Sequence, residues 1–303
     1  MAAIAPDPTA SAASGWLGSF VRTWEPGSGA SIEDTEPATG RLIATVTGST
    51  PDDVARAAAT AKAAQPAWAE TSYQERARIL RKAAEIYDAN RDEFGTWTMR
   101  ETGASHSKMH HESNFAYGEI NAAATLPWQP YGSLVPSAVK GRLSMVRRIP
   151  VGVVGAITPW NSPSVLGMRV VAPALAVGNA VVLKPDPQTP VIGGAMFEAV
   201  FREAGLPEGL LQIVVGGADV GEALVTDPNV AMVSFTGSTA AGRRVGELAG
   251  ARLKKRASSQ VFACPRGQAA CSAHLHRLAP RRPWCRYRSR GRSPSCRRPR
   301  GAQ

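Results

Sequence analysis

VGVVGAITPWNSP, Val151 to Pro163, is the stretch whose reading decides the fold. Its first seven residues are apolar or small without a break. That run is too short for a membrane span and suits a strand buried on both faces of a parallel sheet. It stops at Thr158-Pro159-Trp160-Asn161, and a helical pattern follows from Ser162. Strand, tight loop and helix in that order place Asn161 at the carboxyl edge of a sheet, where α/β proteins hold their ligands.

The residues that follow repeat the pattern. A helix is predicted over 164–177, closed by Gly178-Asn179 as a left-handed cap. A strand over 180–183 leads into Lys184-Pro185, and a helix over 190–204 starts behind Thr189 and ends at Gly205. Then come a strand over 211–215, a short helix over 220–226, a strand over 230–235 and a helix over 239–249. Strands alternating with helices of this length imply βαβ units and a doubly wound, parallel α/β sheet of Rossmann type.

The residues before it are organised differently. Residues 1–14, rich in Ala, Ser and Pro, are expected to be disordered. Thr35 to Thr47 reads as two short strands around a Pro-Ala-Thr-Gly turn. Thr50-Pro51-Asp52-Asp53 starts a helix predicted to end before Pro66. Ser72 and Glu75 form a capping box opening a second helix to Ala89. A third runs to a stop at Gly103, and a fourth spans about 105–124. Pro127, Pro130 and Pro136 exclude helix from the next segment, so residues 126–150 are read as a two-stranded arm.

The formal charge of +11 is confined to one end. Residues 256–303 hold 12 Arg with no Lys, Asp or Glu, which leaves 23 basic against 24 acidic residues in the rest. All four cysteines, Cys264, Cys271, Cys285 and Cys296, lie there as well. Neither an export signal nor a spanning helix is visible, so a cytoplasmic protein with no membrane partner is expected.

Three places on the predicted sheet edge have ligand chemistry. Phe235-Thr236-Gly237-Ser238-Thr239 ends a strand and opens a helix whose first amides can hold a phosphate. Gly237 and Gly242 are five apart, unlike a G-x-G-x-x-G fingerprint, so a plain capped helix start is the competing reading. Lys184 can bond ribose or phosphate, or simply be a solvated lysine leaving a strand. Asn161 can cap the next helix, or aim an amide donor at a developing oxyanion. His106 and His110 are four apart on a helix, followed by His111 and Glu112, but no third ligand is placed, and no metal site is expected.

Taken together, these pieces identify a family. EPATGRLIATV (36–46), WAETSYQERARIL (68–80), PVGVVGAITPWNSP (150–163), PALAVGNAVVLKP (173–185), GLPEGLLQIVVG (205–216) and VSFTGSTAAGRRV (233–245) resemble the N-terminal half of the NAD(P)-dependent aldehyde dehydrogenases. The wording KPDPQTP is most similar to the aromatic, benzaldehyde- or vanillin-type members. The resemblance covers about 15–255 and implies an NAD(P)-binding domain, an aldehyde substrate, and homo-oligomers for full-length relatives. It makes Asn161 the oxyanion donor. It places the cofactor against Ile157, Thr158, Pro159, Trp160, Lys184, Gly217, Phe235, Thr236, Gly237 and Ser238. Many NAD-preferring members carry Glu three residues after the lysine; Pro187 stands here, and NAD versus NADP stays open.

In the family, a glutamate of a Glu-Leu-Gly-Gly motif activates water and a cysteine of a Gly-Gln-x-Cys motif is the nucleophile. No acid follows Glu247, and Gly267-Gln268-Ala269-Ala270-Cys271 has one residue too many and stands too near Gly237. A chain lacking both groups and the catalytic domain is therefore expected. The tail, 256–303, reads as a basic nucleic-acid arm, as a zinc module without paired C-x₂-C spacing, or as a shifted reading frame of a GC-rich gene. Simultaneous loss of Asp, Glu and Lys favours the last, with a disordered tail and no nucleic-acid partner. The alternative function is a Rossmann module with a nucleic-acid-interacting tail.

Overall fold

The computed structural model describes residues 15–260. The expected disorder of 1–14, the cysteines and most of the Arg-rich tail lie outside the described residues. A short helix α1 (Trp16–Val21) precedes the antiparallel pair β1 (Ser31–Thr35) and β2 (Leu42–Thr47). The turn between these strands closes with Gly40 at φ +71°, its amide bonded to Glu36 O at 2.8 Å.

Four helices follow: α2 (Pro51–Glu70), α3 (Tyr73–Ala89), α4 (Arg91–Thr102) and α5 (His106–Ala123). Two expectations are corrected here. Helix α2 does not stop before Pro66 but runs through it. Proline forfeits one backbone bond, yet the last turn is anchored elsewhere. Gln65 Nε2 donates to Gly178 O and Trp68 Nε1 to Leu175 O, both at 2.9 Å. The Ser72–Glu75 box is one-sided: Ser72 Oγ accepts from Glu75 N at 3.2 Å, while the Glu75 carboxylate turns to Arg78 at 2.6 and 2.8 Å. The reciprocal box forms instead between Thr50 and Asp53 at the start of α2.

After a 3₁₀ turn at Leu126–Trp128, β3 (Gly132–Val135) and β4 (Ser144–Arg147) pair antiparallel as the expected arm. The rest is the predicted alternation: β5 (Val153–Ile157), α6 (Pro163–Ala176), β6 (Ala180–Lys184), α7 (Met196–Glu203), β7 (Leu211–Ile213), α8 (Ala218–Thr226), β8 (Val230–Gly237), α9 (Thr239–Ala251) and β9 (Lys255–Gln260). The five strands are parallel, in the order β7-β6-β5-β8-β9.

Two further differences concern this half. Residues Val191–Ala195, expected as the first turns of one α-helix, wind as a π turn before α7. Its first amides are taken by a side chain from α4: Glu101 accepts from Val191 N at 2.7 Å and Ile192 N at 2.6 Å. Residues 256–260, read as the beginning of the tail, are the sheet's edge strand β9. The segment KRASSQ carries no apolar pattern, and it pairs in parallel with β8 from Met232 to Gly237.

Strands β5 and β6 are buried almost throughout, and the core joins them to α2, α3, α6 and α7 through Trp68, Leu80, Tyr87, Met168, Leu175, Phe197 and Phe201. Each fully buried side chain of this kind contributes about 1.5–3 kcal/mol. Helix α6 is held at both ends by side chains from elsewhere. At its carboxyl end, Arg76 Nε donates to Ala176 O at 3.0 Å, beside the Trp68 bond to Leu175 O. At its amino end, Ser162 provides no side-chain cap, and Glu112 from α5 accepts from Ser164 N at 3.0 Å. Carboxylate at the amino end and guanidinium at the carboxyl end both complement the helix dipole.

The arm is the opposite case. Leu134, Leu143, Met145 and Ile149 are 67–77% exposed. Contiguous exposed apolar side chains drive association. Light scattering is therefore expected to give a mass above that of one chain, and the triple change Leu134→Ser, Met145→Ser, Ile149→Ser to lower it. A wild-type monomer would overturn this.

Asp34 on β1 is buried beside Glu101. Burial pushes its carboxyl up to about 7, against the opposing pull of neighbouring Glu101 and the Arg100 charge. Burial and the Asp34 charge push Glu101 up too. The folded chain therefore keeps protons that an unfolded carboxyl, with a pKa of about 4, releases. This stability is full below that pH and is lost as pH rises towards 7. The melting temperature is expected to be higher at about pH 5 than at about pH 8, each kcal/mol being worth about 2–4 °C. Asp34→Asn should remove much of the difference; a flat wild-type profile would refute it.

Candidate active site

Three sheet residues stand level. Ile157, the last residue of β5, is in register with Lys184 on β6 and with Phe235 on β8. Thr158 N extends the ladder by donating to Lys184 O at 3.1 Å. From β5 the chain winds outward through β6 and β7, then returns to β8 and β9 on the other side. The carboxyl end of β5 is therefore the point where strand order reverses, the usual ligand crevice of an open parallel sheet.

Lys184 is not a solvated lysine. It is buried, and among the described residues Nζ donates to one acceptor, Pro185 O at 3.3 Å. Its stem lies along the first turns of α8, where a Cβ on Gly221 would stand 3.6 Å from both Cδ and Cε. Gly217 is the N-cap residue of that helix. Burial pulls the ammonium's pKa down, against the charges of Asp186 and Asp219. An ammonium has three donors, so a buried one with a single backbone acceptor retains capacity for a ligand.

Beyond Phe235 the chain passes through Thr236 and Gly237 to Ser238, whose hydroxyl caps α9 by accepting from Ala241 N at 3.3 Å. The first helical amides have no intrahelical acceptor and form a ready anion site. The spacing of Gly237 and Gly242 now has a physical cause. A Cβ at Gly237 would come 2.6 Å from Phe235 Cζ, and one at Gly242 3.2 Å from Phe235 Cε1. Both glycines make room for the Phe235 ring, and the departure from G-x-G-x-x-G follows from that packing.

Between β5 and α6 lies Thr158 to Ser162. Thr158 is buried with Oγ1 unpartnered, Pro159 is partly covered, and Trp160 is 46% exposed. Asn161 caps nothing with its side chain, since the N-cap of α6 is Ser162. Asn161 Oδ1 is buried and also unpartnered, although the residue itself is only partly covered, so its exposed surface belongs to other atoms. Buried polar atoms without partners are uncommon and concentrate at functional sites.

The histidines are placed otherwise. His106 and His110 stack edge-on at 4.4 Å between ring centroids, and Glu112 is committed to Ser164 N. Among the described residues no group of three His, Cys, Asp or Glu can hold a metal, nor is any helix long and apolar enough to cross a membrane. Residues not anticipated from sequence are Gly221 and Asp219 beside Lys184, and Lys108 and Glu112 on α5. Their partners lie far away in the chain, and only the i, i+4 spacing of Lys108 and Glu112 was visible as a pair.

Fold and site together define a doubly wound α/β domain with a crevice where the strand order of its parallel sheet reverses. The chain belongs to the aldehyde dehydrogenase family, whose model matches residues 24–259. It is 50% identical over 241 residues to a vanillin dehydrogenase of Amycolatopsis sp., covering 79% of this chain and 49% of that protein. It is 46% identical to a benzaldehyde dehydrogenase [NAD(+)] of Pseudomonas putida, with 79% and 50% covered. The crystal structure of an NAD-dependent benzaldehyde dehydrogenase from Corynebacterium glutamicum superposes with a TM-score of 0.75 at 40% identity, over 78% of this chain and 52% of that one. The chain thus spans about half the length of the relatives it matches.

Lys184→Met tests the crevice. Losing hydrogen bonds from a charged donor, at about 1.5–3 kcal/mol, is expected to weaken dinucleotide binding by about 10- to 100-fold. Because the change also removes a buried charge, the melting temperature should not fall. Unchanged affinity by titration calorimetry would exclude Lys184 from the site.

Proposed function

We propose that this chain is the nucleotide-binding half of an aldehyde dehydrogenase that oxidises an aromatic aldehyde to the acid, with NAD or NADP as cofactor. The observation that carries the reading is the level Ile157–Lys184–Phe235 rung at the strand-order reversal, with the unpartnered polar atoms of Thr158 and Asn161 next to it. The aromatic substrate class is supported by the identity to vanillin and benzaldehyde dehydrogenases.

When bound, NAD(P) would supply the hydride acceptor. The chain's own residues divide the remaining work. Lys184 Nζ would hold ribose hydroxyls, while Ser238 and the first amides of α9 would hold the pyrophosphate. Gly217 and Gly237, having no Cβ, would let backbone approach the dinucleotide, and Thr236 and Ile157 to Trp160 would line the same crevice. Asn161 donates its side-chain amide to the oxygen that becomes negative when a cysteine thiolate attacks the carbonyl. Pro187 offers no carboxylate to repel a 2′-phosphate, so charge at that position excludes neither dinucleotide.

The thiolate and the water-activating glutamate are the other half of the reaction. Nothing in the sequence after Glu247 is acidic, and Cys271 has the wrong neighbours. We therefore read the chain as binding the dinucleotide without completing thioester formation and hydrolysis. Purified chain is expected to bind NAD+ or NADP+ in calorimetry, yet to give no aldehyde-dependent rise in NAD(P)H absorbance. Turnover that Cys271→Ala abolishes would overturn the incompleteness; absence of any dinucleotide binding would overturn the reading as a whole.

A further inference from the structure

The oxyanion donor has to be aimed, and its own side chain does not do this. Asn161 Oδ1 is buried with no hydrogen-bond partner, so the direction of the amide follows from how the backbone around it is held. That backbone is gripped from α5. Lys108 Nζ donates to Asn161 O at 2.5 Å. Four residues on, Glu112 Oε1 accepts from Ser164 N at 3.0 Å. The two side chains also meet, Lys108 Nζ to Glu112 Oε2 at 3.4 Å.

We propose that Lys108 and Glu112 are positioning residues that set the direction of the Asn161 amide. This rests on reading Asn161 as the oxyanion donor. The pair fixes one carbonyl before Ser162-Pro163 and one amide after it, so the short segment carrying Asn161 is clamped on both sides. One helical turn separates the two grips on α5, and residues four apart lie on the same face. Loop geometry alone does not require them: Ser162 O already accepts from Leu166 N at 3.0 Å to start α6. Glu112 is buried and accepts in place of the side-chain cap that Ser162 omits. Lys108 is nearly half exposed, yet reaches a backbone oxygen 53 residues away. A further tie between the same helices, Arg169 Nε to Glu119 Oε1 at 2.8 Å, keeps α5 and α6 together when either grip is removed.

The test reads Asn161 directly. Deuterated full chain with ¹⁵N-labelled asparagine gives one side-chain amide pair per residue; Asn161→Ala identifies the pair of interest. Asn179 is the internal control, since its side chain is independently held, Oδ1 accepting from Val151 N at 2.7 Å. Lys108→Met and Glu112→Ala are expected to shift or broaden the Asn161 pair while the Asn179 pair stays in place. Glu112→Gln retains an acceptor for Ser164 N and should restore the Asn161 pair at least halfway to its wild-type position. A wild-type Asn161 pair in folded Lys108→Met and Glu112→Ala overturns the proposal. So does an equal displacement of Asn179, which marks a general loosening. If Lys108→Met does not fold, Lys108→Arg replaces it: a donor of different reach that leaves the Asn161 pair unmoved is again the overturning result. NAD+ titration of wild type runs alongside. Failure there removes the functional reading, whereas failure of the amide comparison removes only the positioning.

Discussion

Helix α6 depends on other helices for part of the bonding at both of its ends. It is apolar on nearly every side, it begins directly after the Thr158–Ser162 loop, and its first amides and last carbonyls are buried or half-buried. Four unpaired groups at each helix end are a general debt of helical structure, and burial makes them costly. Val177, Gly178 and Asn179 close the last turn locally, and other helices supply further partners: Glu112 at the amino end, and Arg76, Trp68 and Gln65 at the carboxyl end, the last reaching Gly178 O just past it. The same residues tie α2, α3 and α5 to the sheet through α6. Arg76 extends this to the arm, donating to Tyr131 Oη at 2.6 Å. The helical first half is therefore the set of caps that lets α6, and the loop before it, sit where it does.

How much of this was legible follows from distance along the chain. Buried strands, their punctuating glycines and the lysine and asparagine at their carboxyl ends are local patterns. Gly103, Gly178 and Gly205 adopt the left-handed backbone that their places as helix stops require. Interactions between remote residues were not legible. Pro66 reads as a helix end because the bonds that carry α2 past it come from residues more than a hundred positions away. Glu75 is a different case: its competitor Arg78 stands only three residues on, a local helical spacing that the capping pattern overshadowed. Strand β9 escapes notice because its segment, KRASSQ, carries no apolar pattern and backbone pairing at a sheet edge does not require one.

The candidate site was legible in its members but not in its mechanics. Asn161, Lys184 and Gly237 were each ambiguous alone, and sheet register brings them to one edge. What could not be read was the stability given up there. Lys184 is a buried ammonium, and Thr158 and Asn161 hold buried atoms without partners. Such features run against folding and persist where surrounding structure over-determines them. The Phe235 ring, filling the space that Gly237 and Gly242 leave, supplies part of that rigidity from the sheet side.

The level rung across β5, β6 and β8 also determines where the chain can tolerate a change of length. Successive side chains in a strand alternate between faces, so adding or deleting one residue in β5 would carry Ile157 out of line with Lys184 and Phe235. It would also turn every inward side chain before it outward. Three strands count residues to the same edge, and none can drift alone. The tip joining β3 to β4 is under no such bookkeeping: Ser137 to Gly141 are nearly all exposed, with room around Gly141. Insertions and deletions that leave the fold intact belong there, while at the sheet's centre length is as constrained as residue identity.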